Sequence, residues 1–263
     1  KSNILINDNE EDPVTMADLK VNKKIIQNIT ESYQNINWEI LSEENVKNTH
    51  NNRRLNKDFV WILDPLDGTK DFIQGTGNYA MHLALNYKNK PCIGIVLIPD
   101  KDELWISNYD MVWCENKHGE YKKTNLSRKK YLKDMTIVTS KNHRNQTLQN
   151  LIKRVNFKKV IVMGSIGCKI ASILRGESDI YVNLSLPGES SPKDWDFAAP
   201  AAILKAAGGS ITNLYNEELT YGNLNYEQGG VIIASNNYHN HGKICLEIKE
   251  FINEFNLYPF NFN

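Results

Sequence analysis

Apolar positions change their period along the chain, and each change marks an element. Behind the polar, acidic stretch Lys1–Glu11, the segment Asp12-Pro13-Val14-Thr15 reads as an extended approach to a helix. Thr15 is a cap-type residue, and Leu19, Ile25, Ile26, Ile29 and Tyr33 then recur at helical spacing. Trp38–Leu41 predicts a short strand ending in Ser42-Glu43-Glu44, and the polar Asn45–Asp58 predicts a loop. Phe59–Leu63 is a run of strand formers that delivers Asp64; Pro65 keeps it from continuing as a regular ladder, and Gly68-Thr69 turns the chain toward a helix. Tyr79–Tyr87 and Cys92–Ile98 read as strands about a turn at Asn89-Lys90. Leu104–Ser107, Met111–Glu115 and a stretch near Tyr121 continue the series as an antiparallel meander.

The second half alternates differently. Strands are predicted at Met135–Thr139, Lys159–Met163, Asp179–Asn183 and Val231–Ala234. Helices are predicted at Asn145–Val155, Cys168–Leu174, Phe197–Ala207 and about 242–255. Pro200 fits the first turn of its helix, and Gly208-Gly209 supplies a stop. Alternating strands and helices imply a layered α/β lobe. A boundary is placed in the basic connector Asn125–Asp134, expected to be solvated. This divides the chain into lobes 1–134 and 135–263.

At 263 residues the chain is long enough for one large domain or two lobes. Lys+Arg and Asp+Glu balance at 31 each, so no overall field points to nucleic acid or an anionic membrane. The four cysteines show no framework or zinc spacing, which favours a reducing compartment. No apolar run is long enough for a membrane span, and no signal peptide precedes the first motif. A cytoplasmic protein is the expectation, with a trimmed N-terminus because the chain opens at Lys1 without a Met.

The chemistry centres on Asp64-Pro65-Leu66-Asp67-Gly68-Thr69. It sets two carboxylates, the Leu66 carbonyl, the Thr69 hydroxyl and free backbone N–H groups around one point. Hard cations take oxygen ligands, and helix starts take anions. Glu43, Asp64, Asp67 and Asp196 each follow a strand or open a helix, where loops gather at a sheet edge. Clustered carboxylates repel unless cations neutralise them. Spacing alone leaves both a metal cluster and a set of unrelated loop acids and caps open. Asp18 is by itself a helix-start residue and Thr69 a cap; as neighbours they can relay a proton.

Rival motifs fit less well. Gly75-Thr76-Gly77-Asn78-Tyr79-Ala80 follows a polar turn and leads into strand-type sequence, unlike a dinucleotide loop. Gly164-Ser165-Ile166-Gly167 is one residue short of a nucleophile elbow, and the six histidines show no zinc pairing. The Gly164–Gly167 turn lies between a strand and a helix. It reads equally as a plain connection or as a close approach for a ligand, with Lys169 supplying positive charge.

In order, Asp12-Pro13-Val14-Thr15-Met16-Ala17-Asp18, Ser42-Glu43-Glu44, Asp64–Phe72 and Trp195–Pro200 with Gly208-Gly209 resemble the magnesium-dependent, lithium-sensitive family of inositol monophosphatases and bisphosphate nucleotidases. The resemblance implies an α/β/α/β/α sandwich. It implies two or three Mg2+ ions on Glu43, Asp64, the Leu66 carbonyl, Asp67 and Asp196. It also implies that Asp18 and Thr69 activate the attacking water, and that the Gly68 and Thr69 backbone holds phosphate.

Gly68-Thr69-Lys70-Asp71-Phe72 is similar to the 3'(2'),5'-bisphosphate nucleotidases of the CysQ type. Ser140-Lys141-Asn142-His143 resembles their nucleotide-contacting turn, with Lys and Asn in place of Arg and Ser. Gly164–Lys169 resembles their glycine loop. The implied substrate is 3'-phosphoadenosine 5'-phosphate, met by Lys70, Ser140, His143, Gly164 and Lys169. Glu189, seven residues before Asp196, stands where inositol monophosphatases place a Glu on inositol hydroxyls, which keeps that alternative open. A third alternative is a nucleotide-binding protein without turnover. The resemblance also leaves a homodimer open.

Overall fold

A computed structural model describes residues 5–7, 14–49, 55–127, 129–141 and 144–258. β1 (Leu5–Asn7) pairs antiparallel with β2 (Val14–Thr15), which leads into α1 (Met16–Ser32). Thr15 caps α1 as expected, its hydroxyl accepting from Ala17 N–H at 3.1 Å.

β3 (Trp38–Ser42), β4 (Phe59–Asp67), β5 (Ala80–Tyr87), β6 (Lys90–Ile98), β7 (Glu103–Asn108), β8 (Met111–Glu115) and β9 (Tyr121–Lys122) form one seven-stranded sheet in that order. The meander is antiparallel as predicted, and β3 joins β4 in parallel. One expectation fails here. The start of the stretch expected as a loop, Asn45–Asp58, is helical: α2 runs Glu43–Thr49, with Glu43 and Glu44 in its first turn, where carboxylates suit the helix dipole.

α3 (Thr69–Gln74) follows β4. The second sheet contains β10 (Thr136–Ser140), β11 (Lys159–Met163), β12 (Ile180–Ser185), β13 (Ser210–Asn213) and β14 (Gly230–Ser235), ordered β11-β10-β12-β14-β13. β11, β10 and β12 run parallel, and β14 is antiparallel to both β12 and β13. β13 is a strand that the sequence reading lacks. Its four residues pair with β14, with one further bridge from Thr212 to Glu218, so tertiary pairing rather than local pattern makes it.

The helices α4 (Gln146–Val155), α5 (Ile166–Leu174), α6 (Asp194–Ala206) and α7 (Tyr238–Glu254) complete the layers. α1 lies on the outer face of the first sheet, over Leu63 and Leu83. α5 and α6 fill the space between the sheets, with Val60, Ile62 and Val96 from one side and Val138 and Tyr181 from the other. α4 and α7 cover the far face of the second sheet, over Ile137, Ile180 and Ile233. The stack is the α/β/α/β/α sandwich.

α6 sits unusually close to its sheet. A Cβ at Gly94 of β6 would stand 2.6 Å from Ala202 Cβ and 2.7 Å from the Ala199 carbonyl. α6 also begins three residues earlier than expected, so Pro200 lies in its second turn rather than its first. Proline removes one helical hydrogen bond and frees the carbonyl four residues back, which belongs to Asp196.

Most of the connector before β10 is exposed, and it is pinned to the fold at a few points. Leu132 is buried, Asn125 N–H donates to the Leu174 carbonyl at 2.7 Å, and Lys129 Nζ meets the buried Asp179 at 2.9 Å. A buried carboxylate demands such partners, and Ser127, Thr136 N–H and Asn236 supply the rest.

Candidate active site

The site is built at the end of β4. In a strand, residues three apart face opposite sides. β4 escapes this because Asp64 pairs with His82 and Asp67 with Ala80, three residues on β4 against two on β5. The extra residue is a bulge at Pro65-Leu66, where a proline without N–H costs no ladder bond. The bulge turns Asp67 back to the face of Asp64. Leu66 N–H donates to Asp64 Oδ1 at 2.9 Å and fixes that carboxylate.

Gly68 then takes a left-handed conformation, φ 87°, and starts α3. Its Cβ would stand 2.9 Å from the Asn78 carbonyl, so both backbone and space require glycine. Thr69 Oγ1 lies 3.0 Å from the Leu66 carbonyl and 3.3 Å from Asp18 Oδ1. Asp18 is both a helix-start residue and a neighbour of Thr69. Its Oδ2 closes the cap of α1, accepting from Thr15 N–H at 2.7 Å and Thr15 Oγ1 at 2.5 Å, while Oδ1 faces Thr69.

The other acids converge on Asp64. β3 is parallel to β4 with Ser42 opposite Leu63, so Glu43 opens α2 beside Asp64 and hydrogen-bonds it. Lys47 holds the outer side of Glu43 at 2.8 Å. Asp196, in the first turn of α6, accepts from Lys193 N–H at 2.6 Å. Burial pushes the Asp64 carboxyl well above the ordinary range, and the charges of Glu43, Asp67 and Asp196 push it further. Asp196 is raised in the same way, by burial and then by Asp67 and Glu43. These four acids are one electrostatic unit whose negative charge Lys47 offsets only in part. An all-oxygen set of this kind suits a hard divalent cation, and the missing charge is what such ions supply.

Asp67 also ties the two sheets together. Its Oδ2 accepts from Ser165 Oγ at 2.7 Å and from Ile166 N–H at 2.5 Å, at the start of α5. Gly164 precedes this start, with an added Cβ only 2.3 Å from Asp71 Oδ2 and 2.6 Å from the Asn78 carbonyl. Lys169, in α5, is 2% exposed; its Nζ hydrogen-bonds the Gly164 carbonyl and lies 5.3 Å from the Tyr181 ring centre. Burial lowers its pKa, opposed by the nearby charge of Asp67, Cys168, Asp196 and Asp71. Ser140 is buried at the end of β10 and hydrogen-bonds the Tyr181 hydroxyl.

The structure thus brings Asp18, Glu43, Asp64, Leu66, Asp67, Gly68, Thr69 and Asp196 around one place. Gly164 and Lys169 lie along its border. Lys70 is half-buried in the first turn of α3. His143 lies outside the described residues, as do Asp12 and Pro13 of the first motif. Glu189 is occupied elsewhere. Its Oε2 accepts from Asn145 Nδ2 at 3.0 Å and Leu186 N–H at 3.1 Å, which caps a turn rather than facing the acids.

Three participants escaped the sequence reading. Ser165 and the Asn78 carbonyl enter through contacts distant in sequence, and His82 enters through strand pairing. His82 is fully buried beside Asp64 and Asp67, and burial lowers its pKa. Its signal was register: the residue of β5 opposite Asp64 must share its face.

A model of the inositol monophosphatase family matches residues 1–253. The chain is 33% identical over 214 residues to the 3'(2'),5'-bisphosphate nucleotidase CysQ of Buchnera aphidicola, a match covering 81% of this chain and 74% of that protein. It is 28% identical over 216 residues to the inositol-1-monophosphatase of Bacillus subtilis, covering 81% and 77%. Among solved structures, the Thermotoga maritima IMPase superposes with a TM-score of 0.72 at 23% identity, covering 96% of this chain and 89% of that one.

Proposed function

The chain belongs to the inositol monophosphatase family, and from that premise we propose that it is a magnesium-dependent phosphatase that removes the 3'-phosphate of 3'-phosphoadenosine 5'-phosphate, giving AMP and phosphate. One observation carries the choice of substrate. Lys169 is a buried lysine at the border of the acid cluster, while Glu189, the group that would greet inositol hydroxyls, has its Oε2 engaged by Asn145 and Leu186. A second phosphate needs a positive partner; inositol phosphate has no second phosphate.

Glu43, Asp64, the Leu66 carbonyl, Asp67 and Asp196 are the groups that would hold two or three Mg2+ ions, which when bound neutralise phosphate oxygens and acidify water. The chain's own residues do the rest. Backbone N–H groups of Gly68 and Thr69 orient the phosphate at the opening of α3. Thr69 Oγ1 positions the attacking water and passes its proton to Asp18 Oδ1, while the Thr15 bonds on Oδ2 keep that carboxylate in place. The new P–O bond forms opposite the breaking bond to the 3'-oxygen, which leaves with a proton from solvent. Lys169 and Lys70 meet the 5'-phosphate or ribose, and Ser140 and His143 add further nucleotide contacts.

Phosphate release with magnesium from 3'-phosphoadenosine 5'-phosphate, inositol 1-phosphate and fructose 1,6-bisphosphate tests the reading. A strong preference for the nucleotide is expected. Preference for inositol phosphate would overturn the substrate and return Glu189 to the specificity role; tight nucleotide binding without release would make the chain a binding protein. Thr69→Ala should lower kcat by on the order of a hundredfold while KM changes little. An unchanged kcat removes Thr69 from water activation. The described residues contain no helix long and apolar enough to cross a membrane, and a cytoplasmic enzyme remains the proposal.

A further inference from the structure

The roles above leave His82 unassigned, although it is a fully buried polar side chain at the centre of the site. It stands on β5 opposite Asp64, so both side chains leave the sheet on the same face. Its Nδ1 lies 3.3 Å from the Trp195 carbonyl. A carbonyl oxygen only accepts, so Nδ1 bears a hydrogen, and in the neutral ring Nε2 carries the lone pair. Nε2 has no hydrogen-bond partner and is sealed from solvent. Gly167 closes on it from above: a Cβ there would stand 2.2 Å from Nε2.

The lone pair is aimed at the acids. Nε2 is 3.5 Å from Asp67 Oδ2, and a ring nitrogen of His82 lies with one oxygen each of Asp64 and Asp67 in a group whose atoms are all within 4.8 Å of one another. A buried lone pair facing carboxylates is repelled by them unless a cation stands between. Asp67 Oδ2 already takes hydrogens from Ser165 and Ile166, so an ion is held through the remaining carboxylate oxygens.

We propose that His82 Nε2 is a nitrogen ligand to the cation held by Asp64 and Asp67, and that it tilts the site toward manganese-class ions relative to magnesium. Imidazole nitrogen binds Mn2+, Co2+ and Zn2+ in preference to Mg2+, which keeps to oxygen. The inference rests on the metal reading of the preceding subsection and is independent of its substrate.

Mn2+ is the probe, loaded at one equivalent on the full chain, with electron spin-echo envelope modulation as the readout. A directly bound imidazole gives 14N modulation, which changes when the chain is grown with 15N-histidine. His82→Asn should abolish the modulation and lower the ratio of Mn2+ to Mg2+ affinity about tenfold, the scale on which ligand-shell changes act. Bound Mn2+ without nitrogen modulation in the unsubstituted chain overturns the assignment and leaves the metal reading standing. Modulation that persists in His82→Asn also overturns it, since another histidine is then the ligand. Absence of any bound-Mn2+ signal sinks both readings together. The isotope experiment needs no substitution, so it decides even if His82→Asn fails to fold.

Discussion

Asp64→Asn is expected to abolish turnover, with phosphate release falling well below about a tenth of the unsubstituted rate. The substitution nearly preserves shape, and the amide oxygen can still accept from Leu66 N–H, as Asp64 Oδ1 does at 2.9 Å. Charge is what changes. Without metal, the Asp64 carboxyl is held well above its ordinary 3.8, first by burial and then by Glu43, Asp67 and Asp196. A carboxyl raised in the folded state binds more protons folded than unfolded. The metal-free protein therefore loses stability as pH climbs from 3.8 through the raised value. Removing that charge relieves the loss, so metal-free Asp64→Asn should unfold at a higher temperature than the unsubstituted chain at neutral pH. The gap should narrow in acid. Magnesium should raise the unfolding midpoint of the unsubstituted chain and barely move that of the variant. Calorimetric scans with and without magnesium, beside a phosphate-release assay, check all three. A variant that keeps more than about a tenth of the rate, or that is less stable without metal, overturns the role given to Asp64.

The opposition of stability and function explains which parts of the site were legible in the sequence. Asp64, Asp67, Gly68 and Thr69 are close in the chain, and their chemistry follows from a strand that ends in a proline bulge and a left-handed glycine. Glu43 and Asp196 stand out as acids at a strand end and a helix start, which topology then brings to one edge. His82 gave no such sign. A lone histidine in an alternating strand reads as core, and only the register of β4 against β5 puts it beside Asp64. Ser165 looked like part of a turn, yet its hydroxyl and the next N–H hold Asp67. Long-range contacts of this kind leave no periodicity to read.

The errors in the fold have similar causes. The helix at Glu43–Thr49 hides in a polar segment because it has few apolar residues to show a period. Pro200 argued for a late start to α6, but close packing on the first sheet carries the helix past the lost hydrogen bond. Tertiary packing overrode local propensity in both the short strand β13 and this helix.

Gly164→Ala is expected to be among the costliest single methyl additions near the site. The added Cβ would stand 2.3 Å from Asp71 Oδ2 and 2.6 Å from the Asn78 carbonyl. Neither neighbour is the tip of a flexible side chain. Asp71 is 1% exposed and bonded to Thr76 Oγ1 at 2.5 Å, and the Asn78 carbonyl accepts from Ser165 N–H at 3.0 Å. Relief requires the β11–α5 turn to move, and that turn carries both Ser165, which holds Asp67, and the carbonyl that holds Lys169. Overpacking of this kind costs about 1–3 kcal/mol, a fall in the unfolding midpoint of several degrees. The displacement of Asp67 should lower kcat in the protein that remains folded. Asp71→Ala in the Gly164→Ala background removes the nearer clash and should restore part of the stability. It leaves the Asn78 carbonyl in place, which no side-chain substitution can remove, so restoration stays incomplete. Full recovery in the double variant would mean that the carbonyl does not constrain the turn. A Gly164→Ala chain as stable and as active as the original would mean that the close crossing of these three segments does not hold the site together.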